Sequence, residues 1–397
     1  MGLQDPENFA SAAAWHALER YLDVAIRRHL GEAADRLERE ADAMAAELRA
    51  AFSASQLEAV RVRVIRFRRR YLQVETALDF YGDAVNTRTS PKLAGLLRAC
   101  DTMALASMQR VLEPLGRPVP PILTYVDKGL GASILRAGLR LWDGGSVSPA
   151  AALKITRQNL YRPTAIVHES GHQVAHIVGW NEELAGLLRR ELASAGDEVA
   201  SAWAGWSSEI AADTHAFAHT GYGSVAALHD VVSGGSTVFR LAAGDPHPVA
   251  YLRVLLGVQM CVRFYGAGPW DDLGRAWVRA YPVESASPDT RTLVERSLPF
   301  LPKIAELCLL APLRGLGSKP VAALIDPLRV RPDELARLAR EAGAALTTSS
   351  HWIRTEALRL LALTSYRAAT EPERSAEIAQ QYEDWMLRLG APTAAAA

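Results

Sequence analysis

RPTAIVHESGHQVAHIV, residues 162–178, is a run of small and apolar residues interrupted by two histidines and a glutamate in the spacing HExxH. Pro163 suits the first turn of a helix, and Gly179-Trp180-Asn181 supplies the next turn signal, so the stretch is expected to form one helix. Residues four apart differ by about 40° around a helix axis, which turns His168 and His172 the same way, able to share one zinc ion. Glu169 then stands beside the metal, set to take a proton from an activated water. Polar side chains on so apolar a helix need partners, because each unpaired buried polar group costs about 1–3 kcal/mol. An accidental HExxH in a chain of this length and histidine content has a chance on the order of one or two per cent.

A catalytic zinc site needs a third protein ligand and an open position. The metzincin arrangement fails here, since Val178 stands where its third histidine belongs and Ala175 where its glycine belongs. The alternative is a glutamate from a later helix. WSSEIAAD, residues 206–213, offers Glu209 as ligand, with Asp213 four positions on and facing the same way, fit to accept the free ring N–H of a ligating histidine. A third element is Asp245-Pro246-His247-Pro248, followed by Arg253. Prolines on both sides hold His247 on stiff, non-helical backbone, suited to hydrogen-bond a tetrahedral oxyanion. Arg253 is suited to anchor a carboxylate, from substrate or from the protein itself.

HExGH, then ExxAD, then HPxxxxR resembles the gluzincin metallopeptidases, most closely the group containing the CAAX prenyl peptidase and the HtpX heat-shock peptidase. The match spans about residues 163–253. The resemblance implies zinc ligation by His168, His172 and Glu209, catalysis by Glu169, and assistance from Asp213, His247 and Arg253. It implies a zinc metallopeptidase acting on a peptide or protein. The membrane helices of those two peptidases have no counterpart in this chain, so their substrates do not carry over. Two other functions fit the residues: hydrolysis of a small non-peptide amide at the same zinc, or a catalytically silent helical scaffold that binds a partner.

Working outward, residues 11 to about 113 show apolar positions at three- and four-residue steps, and Ser90-Pro91 caps and opens a helix there. EPLGRPVPP, residues 113–121, breaks the pattern. Beyond it ILTYVDKG, GLRLW and ALKIT read as short strands among glycines 129, 131, 138, 144 and 145, with Ser148-Pro149 as a competing helix start. From Pro163 the chain reads helical, apart from a break at Tyr281-Pro282 to Pro288, and Thr370 with Glu373 reads as a capping box. The tail APTAAAA is expected to fray. The expected fold is mainly α (α+β): a zincin-like core at residues 115–281, with a small sheet, the HExxH helix and the glutamate helix, between helical regions at 1–114 and 282–397.

A formal net charge of zero removes the chain-wide argument for nucleic acid or an anionic membrane as partner. The one strongly basic stretch, RVRVIRFRRRY at residues 61–71, is expected to form salt bridges with acids of the N-terminal helices. Cys100, Cys261 and Cys308 read as reduced core residues. Without a basic n-region and apolar h-region, with Pro6 in place of the myristoylation hydroxyl, and without a run of about 18 apolar residues, the protein is expected to be cytoplasmic. His176 is expected as a core or supporting histidine. His215 and His219 are expected to be packing or surface residues, and Trp180, Trp203 and Trp206 packing residues. Tyr161, Tyr222 and Tyr251 are further candidates to donate to an oxyanion.

Overall fold

In the computed structural model, which describes residues 5–127, 133–135, 150–160, 162–242 and 244–391, helices dominate and one small sheet is present. The chain folds as two compact units: Met1–Ala94 with Pro120–Asp127 and Leu135–Lys154, and Gly95–Val119 with Lys128–Ile134 and Ile155–Ala397. This division differs from the three segments expected from the proline breaks.

The first unit begins with α1 (Ala12–Leu22), capped by the Ser11 hydroxyl and ended by Asp23 in the left-handed region at φ 55°. α2 (Ile26–Ala50) and α3 (Ala54–Thr87) follow, joined by a short turn after which Ser53 and Gln56 form a capping box. Arg63 pairs with Glu47 and Arg70 with Glu40, so the two helices run antiparallel. Their inner faces bury Ile26, Leu30, Val74, Leu78 and Tyr81 with Trp15, Leu123 and Tyr125 in one apolar cluster. α4 (Pro91–Leu112), which passes into the second unit after Ala94, starts on its proline, as expected. The strands β1 (Ile122–Val126), β2 (Ser133–Leu135) and β3 (Ala151–Ile155) form a sheet in the order β1-β3-β2. The Ala151 N–H donates to the Pro121 carbonyl at 2.9 Å, start to start, so β1 and β3 are parallel. Their nearly continuous burial suits a sheet covered on both faces.

The second unit holds α5 (Arg157–Leu160), α6 (Thr164–Val178), α7 (Trp180–Glu191), α8 (Asp197–Gly205), α9 (Ser207–Thr220), α10 (Tyr222–Val232), α11 (Ala250–Tyr265), α12 (Pro269–Ala280), α13 (Pro288–Ser297) and α14 (Leu301–Leu310), with further helices up to Leu389. α6 is the HExxH helix. Pro163 is its N-cap, and Gly179 at φ 68° ends it with only a one-residue corner before α7, shorter than the turn expected there. The chain does break at residues 281–288, yet α11 packs on α14 across that break, which makes it a corner inside the unit.

One local expectation is overturned. Thr370 is the last residue of the helix Ala357–Thr370, its hydroxyl donating to the Tyr366 carbonyl, and it is not the N-cap of the next. A threonine can satisfy its hydroxyl on the carbonyl four residues back, and Pro372 breaks the helix just beyond. GLRLW, the five glycines, Ser148-Pro149, Tyr161 and the tail past residue 391 lie outside the described residues. The three cysteines are buried and none forms a disulfide. Among the described residues no helix is long and apolar enough to cross a membrane.

Candidate metal centre

α6 and α9 pack tightly because of Gly171, the fourth residue of the HExxH motif. A Cβ there would lie 2.9 Å from Ala212 Cα and 2.9 Å from His215 Cβ. Only a residue without a side chain admits so close an approach. The helices run antiparallel, His172 meeting Ser208 while His168 meets Asp213. This register sets the two motifs against each other.

His168, His172 and Glu209 converge: one ligand atom from each lies within 4.8 Å of the others, a group able to hold a metal ion. His168 Nε2 is 3.5 Å from Glu209 Oε2, and His172 Nε2 is 3.2 Å from Glu209 Oε1. Donors bound tetrahedrally at 2.0–2.1 Å stand about 3.3–3.4 Å apart, so the three groups, spread over up to 4.8 Å and meeting different Glu209 oxygens, would draw together around an ion. The far ring nitrogens are engaged as well. His168 Nδ1 is 2.9 Å from Asp213 Oδ1, and His172 Nδ1 is 3.2 Å from the Ser208 hydroxyl. Both imidazoles thus turn Nε2 toward the Glu209 carboxylate; Asp213 can accept only, which keeps a proton on His168 Nδ1, while the Ser208 hydroxyl, able to donate or accept, orients the His172 ring.

Arg253, in the first turn of α11 and 9 % exposed, carries the charge balance. Its Nε donates to Asp213 Oδ2 at 2.5 Å and its NH2 to Asp213 Oδ1 at 2.8 Å, while the same NH2 lies 3.0 Å from Glu209 Oε2. Of the two carboxylates it could have anchored, it takes those of the protein. Burial works to raise the Glu209 pKa, but hydrogen bonds from both histidines and the Arg253 charge outweigh it and hold the carboxylate ionised. Asp213 is lowered against the same burial by Arg253 and His168. For His168, burial works downward, and the bonds to Asp213 and Glu209 overcome it and hold the pKa up at about 10. Two ionised carboxylates against one guanidinium leave one negative charge, which a proton on His168 or a bound cation can balance.

Glu169 is 7 % exposed, and burial raises its pKa above the usual carboxylate value although the charges of His168, His172 and Arg253 act against this. His247 is 59 % exposed at its side chain, with Nε2 3.6 Å from Glu209 Oε1. Asp245 steadies it, accepting from the His247 N–H at 3.0 Å and lying 2.7 Å from Nδ1. The structure thus brings together His168, His172, Glu209, Asp213, Arg253 and His247. Ser208 was missed; its sequence signal is a short hydroxyl residue directly before the ligand Glu209 in the first turn of α9.

Other candidates fall elsewhere. His176 is exposed at the end of α6, not a core or supporting residue, because eight residues rotate it about 80° from His168. Tyr222 lines a cavity of about 260 Å³ with Thr164, His229 and Ser365, among others, and that lining excludes the three converging residues. Tyr251 is buried and stacks near Phe239. Trp180, Trp203 and Trp206 are buried, Trp203 donating to Ser297 Oγ at 3.0 Å. No protein-family model, no curated protein and no solved structure matches the chain.

Proposed function

We propose that this protein is a zinc-dependent hydrolase of peptide (amide) bonds, built on the gluzincin plan. The observation that carries the reading is the convergence of His168 Nε2, His172 Nε2 and the Glu209 carboxylate, with Asp213 on the opposite nitrogen of His168. Two imidazoles and one carboxylate are the donor set of a catalytic zinc with an open position, and the zincin-like reading of the core rests on the α6–α9 pair that supplies them. When bound, such an ion supplies Lewis acidity, polarising a carbonyl and bringing the pKa of water down to about 7.

The protein's own groups supply the rest. Glu169, with its pKa raised by burial, accepts a proton from the attacking water on a carboxylate oxygen and returns it to the leaving amine. Asp213 keeps the His168 proton on Nδ1, leaving Nε2 free to ligate. Arg253 fixes both carboxylates through three short contacts. His247, exposed and steadied by Asp245 on Nδ1, offers Nε2–H to the oxyanion in its imidazolium form, which carries both ring protons, as the carbonyl becomes tetrahedral. A peptide or protein is the substrate this arrangement suits.

The test is elemental analysis of the purified chain together with cleavage of a mixed peptide library, for wild type and Glu169→Gln. Wild type is expected to hold one zinc per chain and to cleave. The variant should keep the zinc and lose about 10²–10⁴-fold in turnover, the usual share of a general base. Zinc bound without cleavage of any peptide would remove the peptidase reading, and a chain that takes up no zinc would remove the whole proposal.

A further inference from the structure

Fourteen large apolar side chains are exposed among the described residues, and eight of them fall within residues 48–72, at the α2–α3 hairpin. They include Leu48, Leu57, Ile65 and Leu72, with Phe52 at the turn 93 % exposed. Single exposed apolar residues are ordinary, whereas a concentration of this kind marks a surface that something covers. The same segment holds seven arginines against one acid, Glu58. Arg61 pairs with Glu58, Arg63 with Glu47 and Arg70 with Glu40. Arg49, Arg66, Arg68 and Arg69 make no ion pair among the described residues, so the salt bridges expected of the basic stretch account for only half of its six arginines.

Helical geometry puts the two kinds of side chain on one face. Leu57, Arg61, Ile65, Arg68 and Leu72 recur at three- and four-residue steps over about 23 Å of α3, on the side away from the buried Val74, with Arg69 beside Ile65 and the exposed Val62 and Arg66 on one flank. Arginine stems lie along apolar surface while the guanidinium reaches outward, so such a face suits a plane that is apolar below and anionic above. We propose that the outer face of the α2–α3 hairpin docks on an anionic lipid bilayer, with Phe52 and the aliphatic side chains entering the headgroup–acyl boundary and the unpaired arginines meeting lipid phosphates and carboxylates. A polyanion such as RNA would use the arginines and leave six aliphatic side chains in water. A second copy of the same face would set unpaired arginines against one another. The inference departs from the expectation of no membrane partner, which rested on the zero net charge of the whole chain and on assigning the one basic stretch to internal salt bridges. It does not depend on the hydrolase reading.

The test is co-sedimentation of the full chain with vesicles of phosphatidylcholine mixed with phosphatidylserine, against phosphatidylcholine alone. The chain should bind the anionic vesicles selectively, and less as salt is raised. The combined Arg66→Gln, Arg68→Gln, Arg69→Gln variant should bind about 100-fold more weakly, roughly fivefold per arginine, and Phe52→Ser about tenfold more weakly. These positions are exposed, so unchanged unfolding temperatures would show that the fold is intact. The proposal is overturned if the wild-type chain stays in the supernatant with anionic vesicles, or if the triple variant binds them as tightly. Retention by single-stranded polynucleotide, or dimerisation lost in Phe52→Ser, without vesicle binding, would overturn it in favour of those partners.

Discussion

In α6 His168 and His172, and in α9 His215 and His219, stand four residues apart, and the pairs look alike. His168 and His172 have ring centroids 4.8 Å apart at 86°, while His215 and His219 have theirs 4.6 Å apart at 69°. Burial pulls down the pKa of His168, His215 and His219 alike. The outcomes are nevertheless opposite. His168 is held up at about 10 by Asp213 and Glu209, His219 is pushed down to about 3 with the Ser107 carbonyl as its hydrogen-bond partner among the described residues, and His215 falls well below its ordinary value. Both ring nitrogens of His215 are buried without a hydrogen bond. Spacing makes the pair; carboxylates from the facing helix turn one pair into a group able to hold a cation, while the other packs as neutral rings.

If the carboxylates make the difference, the arginine that holds them should be the costliest residue to remove. Arg253→Met keeps most of the volume and deletes three contacts to Asp213 and Glu209. Breaking a buried pair from one side leaves uncompensated charge, and the expected loss is about 3–5 kcal/mol in chemical denaturation at neutral pH. A loss below about 1 kcal/mol would mean that the histidines alone keep those carboxylates ionised, and the contrast with the second pair would weaken.

The contrast was half legible in sequence. HExxH on an apolar helix, and Glu209 with Asp213 one turn apart, follow from helical periodicity, which is local. Antiparallel contact between the two helices is tertiary, and it alone decides that Asp213 meets His168 while Ser208 meets His172. For the same reason the choice of Arg253 between substrate and protein carboxylate stayed open until α11 was seen against α9. Gly171 entered the sequence reading only as a letter of HExGH, without a physical role, though its missing side chain sets the spacing of the two helices. Likewise Thr370 followed a valid capping pattern, but the pattern does not tell which helix a threonine belongs to.

Gly171 touches both pairs, since it precedes His172 in α6 and abuts His215 in α9. Helix propensity alone predicts that Gly171→Ala stabilises by about 1 kcal/mol. The new methyl would meet backbone at 2.9 Å, which neither helix can yield without moving, and overpacking of this kind costs about 1–3 kcal/mol. The variant is expected to unfold at lower temperature and, with His172 drawn away from Glu209, to lose about tenfold in zinc affinity by chelator competition. Stabilisation with unchanged affinity would show that the approach of the helices is looser than the contacts imply.

The smallest effect probes the neutral pair through pH. A histidine whose folded pKa lies below its unfolded value contributes stability above about pH 6.5 and loses it as pH falls, because only the unfolded chain takes up the proton. For His219 the loss should run from about pH 6.5 toward about pH 3, at about 1.4 kcal/mol per pH unit. His168 has the opposite sign, its contribution being full below about pH 6.5 and lost as pH rises through about 10. His219→Gln can still donate to the Ser107 carbonyl and cannot titrate, so its unfolding free energy should fall less steeply than that of wild type between pH 6.5 and 5 by about one proton's worth. Parallel slopes for the two proteins would mean that His219 takes up its proton in the folded state, and the electrostatic distinction between the pairs would no longer hold.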